Sequence, residues 1–506
     1  MLFNTSEFIF LFLPLAVTLH FLAARHSMTA AAVVTTLSSL AFYAYWNPPF
    51  VLLPIASIAL NFLLARAIVA APARRARVLM LIGVTANLLV LGYFKYEDFV
   101  IAVFAARAPA PPAVPLALSF TTFVQIAFLV HVWRQRPALD FPRYAMFVSF
   151  FPHLIAGPIV RWNELGPQIG DRQRYRLDLD NVALGLTIFC LGLGKKVLIA
   201  DRLAPHIAPV FDAAGLGEPI TALAAWGAAF AYSAQLYFDF SGYCDMAVGL
   251  GLLFNLRLPI NFAAPLRAAS IIDLWRRWHI TLSRFLRDFV YVPLGGSHGG
   301  LTRRSANLIM TMVLGGLWHG ANWTFIGWGA FNGVLLALNH VWRSWRGTRT
   351  PSRSGLFAGW LATFTAFAIG MAMFRSANVA AMGHMLLAMV GLANGPSSPD
   401  DIRVGADLYS IRHGYLSEPL VRYWVGVNWS VVASLWTLAA LAIALVVPDT
   451  MELVDYREGE PHSDWRRSAG HLAWRPSVAW LAFIGIMFAS AFTFFWEFNE
   501  FLYYQF

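Results

Sequence analysis

Charged residues are scarce in this chain of 506 residues, and lysine and cysteine are rarer still. Only 13% of the residues are charged and 58% are hydrophobic, whereas soluble domains average roughly 25% charged. This composition excludes a soluble multidomain protein and indicates an integral membrane protein. The two cysteines, Cys190 and Cys244, lie in apolar stretches, which excludes a disulfide framework and a cysteine-based zinc site.

The net charge of +10 comes from basic residues that are scattered through short loops. This distribution argues against a nucleic-acid-binding domain and is typical of cytoplasmic loops in a polytopic protein. The first fifteen residues, MLFNTSEFIFLFLPL, lack a basic region and carry Glu7 before the apolar run, so we expect them to stay in the protein as part of its first membrane helix. Arginines follow the third apolar run and not the second, which predicts an external N-terminus.

Apolar runs recur along the whole chain, with polar links between them. Their approximate positions are 8–24, 29–45, 50–70, 78–94, 116–133, 182–200, 221–252, 305–318, 323–342, 356–375, 428–447 and 477–495. Because each crossing takes about 20 apolar residues, these runs predict an all-α polytopic protein with about 11–12 transmembrane helices. We expect one integral domain over residues 1–506, with no separate soluble domain.

The stretch 255–304 contains eight arginines among several aromatic residues, and we expect it at the cytoplasmic face. Its pattern predicts an interfacial or re-entrant helix over 271–289, with an apolar stripe formed by Trp278, Leu282, Phe285 and Phe289. In that helix His279 would turn toward the packed side.

His319 is the strongest candidate for chemistry. It follows Arg304 by fifteen residues in the segment LGGLWHGANW, and a helix would carry it roughly 22 Å from the charged face. An ionisable group at that depth favours a functional site, although a packing hydrogen bond is the alternative. Gly315 and Gly316 could interrupt the helix and reduce the depth.

Two other segments place polar groups in apolar surroundings. Residues 150–162, FFPHLIAGPIVRW, contain two prolines and a glycine, which predicts a broken or re-entrant segment. In residues 235–251, Asp239 and Asp245 could form hydrogen bonds between helices or could line a tunnel. The sequence favours neither of these two roles.

Other catalytic chemistries lack their motifs. The 40-residue separation of His279 and His319 is not a metal-ligand spacing, so no metal site is expected. The sequence contains no nucleophile elbow, no Walker A motif and no cysteine next to a base. General-base catalysis by histidine is what remains.

Several motifs together resemble the membrane-bound O-acyltransferase (MBOAT) family, in the branch that O-acetylates bacterial polysaccharides. They are FPHLIAGPIVR, QLYFDFSGYCDMAVGLGL, DLWRRWHITLSRFLRDFVYVPLGGS and GGLWHGANWTFIGWGAFNG, with similarity continuing to both ends of the chain. The resemblance implies a curved helix bundle around a central tunnel that joins a cytoplasmic mouth to an extracytoplasmic funnel. It also implies that His319 is catalytic and that His279 is a second functional histidine.

The resemblance further implies a cytoplasmic acyl donor, either acetyl-CoA or an acyl-carrier thioester, and no bound cofactor. The acceptor would be a polysaccharide, served directly or through a periplasmic or membrane-tethered partner, and the enzyme would lie in the bacterial inner membrane among its lipids. The arginines of the cytoplasmic segment could bind coenzyme A phosphates or lipid headgroups. The residues predicted to bind donor or line the tunnel are Arg276, Arg277, Arg284, Arg287, Asp239, Asp245, Trp275, Trp318, Asn322 and His153.

The sequence departs from the family pattern at a few positions. His131 stands where an acidic residue is usual, Asn332 stands where some relatives have histidine, and LPINFAAPLRA lacks the Lys-Pro-Tyr of alginate-type members. These departures leave both histidine motifs intact and leave the acceptor open. Two other functions are compatible with the residues: a proton-coupled transporter or glycan flippase that uses buried histidine and aspartate, and an inactive scaffold in a secretion complex.

Overall fold

The computed structural model describes residues 2–46, 48–104, 115–348, 350–393, 419–456, 473–494 and 502. Within these ranges the regular structure is helical and no β-strand occurs. The α-helices are α1 Leu13–Ala24, α2 Met28–Ala44, α3 Leu52–Ala70, α4 Ala73–Phe104, α5 Leu118–Gln135, α6 Phe141–Ser149, α7 Phe151–Leu154, α8 Trp162–Ile169, α9 Leu179–Gly194, α10 Asp201–Leu216, α11 Ala222–Leu253, α12 Ile271–Arg277, α13 Ile280–Leu286, α14 Gly300–His319, α15 Trp323–Arg346, α16 Arg353–Arg375, α17 Val379–Met389, α18 Pro419–Val446, α19 Thr450–Leu453 and α20 Val478–Phe492. Short π-helical segments cover Phe8–Phe12, Lys195–Ala200 and Arg287–Tyr291, and 3₁₀ turns cover Pro48–Val51, Arg172–Tyr175 and Pro265–Arg267.

Four helical stretches of the described chain are long and apolar enough to cross a membrane. They are Pro48–Ala70, Ala73–Ala102, Leu179–Leu216 and Arg353–Arg375. Shorter apolar helices cover Phe8–Ala24, Met28–Ala44, Val379–Met389, Val431–Val446 and Val478–Phe492. The predicted class, an all-α polytopic membrane protein, is confirmed, while the number of crossings and the side of the N-terminus stay predictions.

The chain packs as two compact units. Unit 1 takes its residues from 1–194, 241–261 and 450–505, and unit 2 takes most of its residues from 195–240 and 262–449. In unit 1, α9 packs closely on the second part of α11 through glycines. A Cβ atom at Gly192 would lie 2.5 Å from the carbonyl oxygen of Gly242, and one at Gly185 would lie 2.7 Å from that of Gly249. Such contacts let two membrane helices approach backbone to backbone.

The segment 150–162 of unit 1 is broken, as predicted. The single turn α7 ends at Leu154, irregular backbone follows, and α8 begins at Trp162. Residues 150–160 are all buried, so this non-helical backbone is enclosed by protein. The side chain of Glu164 accepts a hydrogen bond from the Arg161 amide at 2.9 Å and fixes the start of α8.

In unit 2, α14 and α15 form a hairpin whose helices touch along glycines. A Cβ atom at Gly316 would collide with the carbonyl of Phe325, and one at Gly329 would collide with that of Met312. A Cβ atom at Gly333 would lie 2.6 Å from the Cα of Ile309. The start of α14 is therefore held beside the end of α15.

One expectation about helix continuity is wrong, and one possibility that the sequence left open does not occur. The predicted helix over 271–289 is divided into α12 and α13, because Trp278 is extended and His279 has a left-handed backbone with φ +44°. Conversely, Gly315 and Gly316 do not interrupt α14, which runs without a break to His319. Their lack of a side chain serves close packing, since a Cβ atom at Gly315 would already lie 3.0 Å from Leu286.

Candidate functional site

His319 lies at the last position of α14 and is 6% exposed. Aromatic rings surround its imidazole: the ring centroids of Trp328 and Phe374 lie 5.3 Å and 5.1 Å away, and that of Trp318 lies 4.9 Å away. After His319 the chain becomes extended at Gly320, where a side chain would collide with the ring of Phe325. The neutral form of an imidazole is the one that accepts a proton, so a histidine in this position can act as a base.

His279 is placed by the break between α12 and α13. A non-glycine residue in the left-handed region carries a backbone cost of order 1–3 kcal/mol, and such residues cluster at functional sites. The His279 side chain is 1% exposed and packs edge-on against Phe240 of α11, with ring centroids 4.8 Å apart. The prediction that His279 faces the packed side therefore agrees with its burial. The burial arises from the break between α12 and α13 and not from a regular helix.

Trp318 brings the two histidines into one aromatic pocket. Its ring centroid lies 6.2 Å from that of His279 and 4.9 Å from that of His319. Trp275 joins the same cluster through Trp328, with ring centroids 5.8 Å apart. We call this group of His279, His319, Trp275, Trp318 and Trp328, with the rings that surround it, the histidine pocket.

Trp328 was missed by the sequence analysis. It is 3% exposed, and its indole Nε1 has no hydrogen-bond acceptor among the described residues; the same holds for Nε1 of Trp275. A buried N–H donor next to a candidate base is a feature that can serve a developing oxyanion. The signal was present in the sequence as a tryptophan nine residues after His319 in the same motif.

The four predicted phosphate-binding arginines differ in their contacts. Nε of Arg277 lies 3.0 Å from Oδ1 of Asp273, and Nε of Arg287 lies 2.7 Å from Oδ1 of Asp288. Arg276 is exposed, and Arg284 is half-buried. Arg277 and Arg287 therefore already have carboxylate partners.

Asp239 belongs to a buried ionic cluster that the sequence analysis did not find. Nζ of Lys196 lies 2.7 Å from Oδ1 of Asp239 and 2.8 Å from Oδ1 of Asp201. The side chains of Lys196 and Asp239 are each 1% exposed. We call these three residues the lysine cluster. The available signal was a pair of lysines inside an apolar run, because a charge at that depth needs partners.

Three further predicted site residues have contacts of a structural kind. Asn322 caps α15 by accepting from the Thr324 amide at 3.1 Å, and its side-chain nitrogen donates to the carbonyl of Ala377 at 2.8 Å. His153, in unit 1, lies with Nε2 2.9 Å from the carbonyl oxygen of Phe147. Asp245, also in unit 1, is buried and packs against Gly192. A Cβ atom at Gly192 would lie 3.0 Å from the Cβ of Asp245.

Comparison with known proteins places these features in a protein family. The model of the membrane-bound O-acyltransferase family (MBOAT) matches residues 114–383. A peptidoglycan O-acetyltransferase of Helicobacter pylori is 40% identical over 435 residues, which cover 78% of this chain and 81% of the relative. A probable alginate O-acetylase of Azotobacter vinelandii is 41% identical over 404 residues, which cover 77% of this chain and 78% of the relative. A teichoic acid D-alanyltransferase of Streptococcus thermophilus is 29% identical over 241 residues, 45% of this chain and 57% of the relative.

Proposed function

Because the chain belongs to the membrane-bound O-acyltransferase family and is a multi-pass membrane enzyme of that class, we propose that it transfers an acetyl group to hydroxyls of an exported polysaccharide or cell-surface glycan. The donor is a cytoplasmic thioester, acetyl-CoA or an acyl-carrier thioester. The acceptor is acetylated directly or through a periplasmic or membrane-tethered partner. The enzyme acts in the bacterial inner membrane.

The burial of His319 among aromatic rings is the observation that carries this proposal. The imidazole takes the proton of the acceptor hydroxyl as its oxygen attacks the thioester carbon. The carbon–sulfur bond then breaks, and the imidazolium returns the proton to the departing thiolate, so the products are an ester and a thiol. A positioned general base contributes roughly 10²–10⁴-fold to such a reaction. Nucleophilic catalysis through an acetylated His319 is the alternative.

The other residues of the histidine pocket have supporting roles in this proposal. His279, whose ring lies near that of Trp318, orients the donor or supports the tunnel wall. The indole Nε1 of Trp328 is a donor for the oxyanion that develops on the thioester carbonyl. The pocket walls exclude water, which would otherwise hydrolyse the thioester.

The test is the ester content of the exported glycan in cells that carry His319→Ala as the sole copy. We expect loss of O-acetyl ester with a normal amount of the protein in the membrane. Wild-type ester content in that strain would overturn the assignment. His206→Ala, which alters a half-buried histidine of α10 in unit 2, is a matched control and should keep the ester.

The lysine cluster is the observation that favours the rival function, proton-coupled transport. Acidic and basic groups buried at membrane depth mark proton pathways in transporters. Glycan-driven proton uptake by the wild-type protein in proteoliposomes would support the rival, and its absence would count against it. Family membership favours acyl transfer.

A further inference from the structure

A cavity of about 180 Å³ lies between α2, α3, α4 and α5, all of which belong to unit 1. One face of α3 lines it from Leu53 through Ser57 to Leu64. Ala56 and Ala86 have small side chains on the walls that α3 and α4 contribute, so the space is not filled. Protein interiors contain few voids larger than a water molecule, so a gap of this size suggests an occupant. The histidine pocket belongs to unit 2, and the two sites share no residue.

The cavity extends along the helices for about the depth of one lipid leaflet. At one end a side chain on Gly83 would collide with Leu64 and Leu129, so these two residues fill the space beside it. The other end lies where α2 ends and α5 begins, beside Tyr43. From Leu53 to Leu64 the rise of α3 is roughly 16 Å, about half of a hydrocarbon core of ~30 Å.

Lipid surrounds the two long helices that border the cavity. In the candidate spans Pro48–Ala70 and Ala73–Ala102, 33% and 17% of the apolar segment is buried, against 67% and 44% in the other two spans. Leu60 and Val90 line the cavity and are 65% and 39% exposed, so the cavity reaches the outer surface of these helices. No Asp, Glu, Lys or Arg is among the described residues that line it. The medium at its opening is therefore hydrocarbon, and an acyl chain fits its lining.

Most polar side chains of the cavity wall are paired with one another. Nδ2 of Asn87 donates to Oδ1 of Asn61 at 2.8 Å, which joins α4 to α3. Nε2 of Gln125 donates to the Ser57 hydroxyl at 3.3 Å, which joins α5 to α3. Such hydrogen bonds hold membrane helices together. Because the two asparagines satisfy each other, the part of the cavity beside them can accept an apolar chain end.

The hydroxyl of Thr122 is the exception. Thr122 lines the cavity and is 3% exposed, yet its hydroxyl makes no hydrogen bond with any residue that the structure describes. Other helical threonines donate to the carbonyl four residues earlier: Thr35, Thr36, Thr187, Thr311, Thr363 and Thr437. A buried hydroxyl without a partner costs free energy, which a ligand with an acceptor would recover. Thr122 lies in the second turn of α5, toward the end of the cavity beside Tyr43.

We propose that this cavity binds one ester-linked acyl chain of a membrane lipid. The Thr122 hydroxyl donates to the ester carbonyl, and the chain runs along α3 toward Leu64. The ester then lies near the helix ends and the hydrocarbon lies deeper, which is the orientation of a lipid within one leaflet. The site is independent of the proposed function, because it involves neither the acyl donor nor the acceptor.

Photocrosslinking to the full chain in nanodiscs tests the site. The discs contain phosphatidylcholine and a small fraction of phosphatidylcholine with a diazirine on one acyl chain, and mass spectrometry of peptides locates the label. We expect more label on 53–64 and 83–90 than on Arg353–Arg375. Ala56→Phe places a ring in the cavity and should lose most of that excess. Ala59→Phe is the matched control and should keep it, since Ala59 is exposed on the same helix and does not line the cavity.

Thr122→Val tests the ester contact with little change in volume, and it does so even if Ala56→Phe fails to insert. An ether-linked probe lacks the carbonyl, so we expect it to label the wild-type cavity about fivefold less than the ester-linked probe, the factor that one hydrogen bond supplies. The two probes should label Thr122→Val equally. Equal labelling of the wild type by both probes overturns the ester contact. Labelling of Ala56→Phe at the wild-type level, or no excess over Arg353–Arg375 in the wild type, overturns the site itself.

Discussion

The histidine pocket and the lysine cluster are both buried in unit 2, yet aromatic rings surround the first and ionic partners occupy the second. A neutral imidazole costs less free energy to bury than an ion does, and it is the form that accepts a proton. An ammonium between two carboxylates is held by strong attraction, and losing one partner leaves a charge with no compensation. On the proposed function the histidine pocket serves reactivity, and we expect the lysine cluster to serve stability.

The lysine cluster also connects two parts of unit 2 along the chain. Lys196 lies in the π-helical segment Lys195–Ala200, where the chain passes toward α10. Asp239 is followed on α11 by Phe240, which contacts the ring of His279. The ionic contact therefore ties an irregular helical segment to the helix that forms one wall of the histidine pocket.

The largest effect is expected for His319→Gln. An amide cannot accept the proton, so single-turnover acetyl transfer should fall by about 10²–10⁴-fold. Thermal stability should change little, because glutamine fills a similar volume. Turnover near the wild-type rate would show that His319 belongs to packing and not to chemistry.

Lys196→Met should affect stability and not primarily the chemical step. It should lower the free energy of unfolding by about 3–5 kcal/mol, because two carboxylates are left buried together. Adding Asp201→Asn and Asp239→Asn should recover much of the loss, since all three charges are then gone. Denaturation in detergent measures both variants. Normal stability with lost transfer in Lys196→Met would instead give the lysine cluster a part in the reaction.

His279→Gln should retain measurable turnover and so differ from His319→Gln. A side chain that only orients the donor can be replaced in part by another hydrogen-bonding group. Single-turnover rates of the two variants, compared at equal amounts of inserted protein, test this division of roles. Equal and complete loss in both would favour a mechanism that needs two histidines.

Arg276→Glu combined with Arg284→Glu should raise the apparent KM for acyl-CoA, with a steep dependence on ionic strength. An exposed phosphate contact contributes about 1 kcal/mol and is screened by salt. Arg287→Gln is the control, because Arg287 already pairs with Asp288 and should give a smaller change. An unchanged KM with poor membrane insertion would assign these arginines to topology.

The smallest effect is expected for Asn322→Ala, which removes the cap of α15. The loss should be about 1 kcal/mol of stability. Asn322→Asp keeps the capping oxygen and should recover most of that loss. If Asn322→Asp is as stable as the wild type but raises the KM for the donor, Asn322 binds substrate as the sequence analysis predicted.

Local sequence patterns predicted much of the fold. Prolines and a glycine in 150–162 forbid a regular helix, and the segment is broken. Of the predicted apolar stripe, Trp278, Leu282 and Phe285 are buried, whereas Phe289 is only half-buried. Leu282 and Phe285 keep the predicted spacing because both lie within α13. The break at His279 could not be predicted, since a left-handed residue is usually signalled by glycine or asparagine.

The tertiary contacts of the site were harder to predict. His279 and Trp318 are 39 residues apart, and Lys196 and Asp239 are 43 residues apart, so no helical period connects either pair. Gly315 and Gly316 were predicted as possible helix breakers because composition does not distinguish a flexible glycine from one that permits close packing. Only the position of the neighbouring helix decides between the two.

The glycine contacts between α14 and α15 also have a mechanical consequence. Because a side chain at Gly316, Gly329 or Gly333 would collide with the facing helix, α14 and α15 are packed at backbone distance, and this packing fixes the end of α14 that carries His319. The hairpin is thus a rigid support that keeps the His319 imidazole at one place beside the rings of Trp328 and Phe374, and a side chain added at Gly316 is expected to displace it.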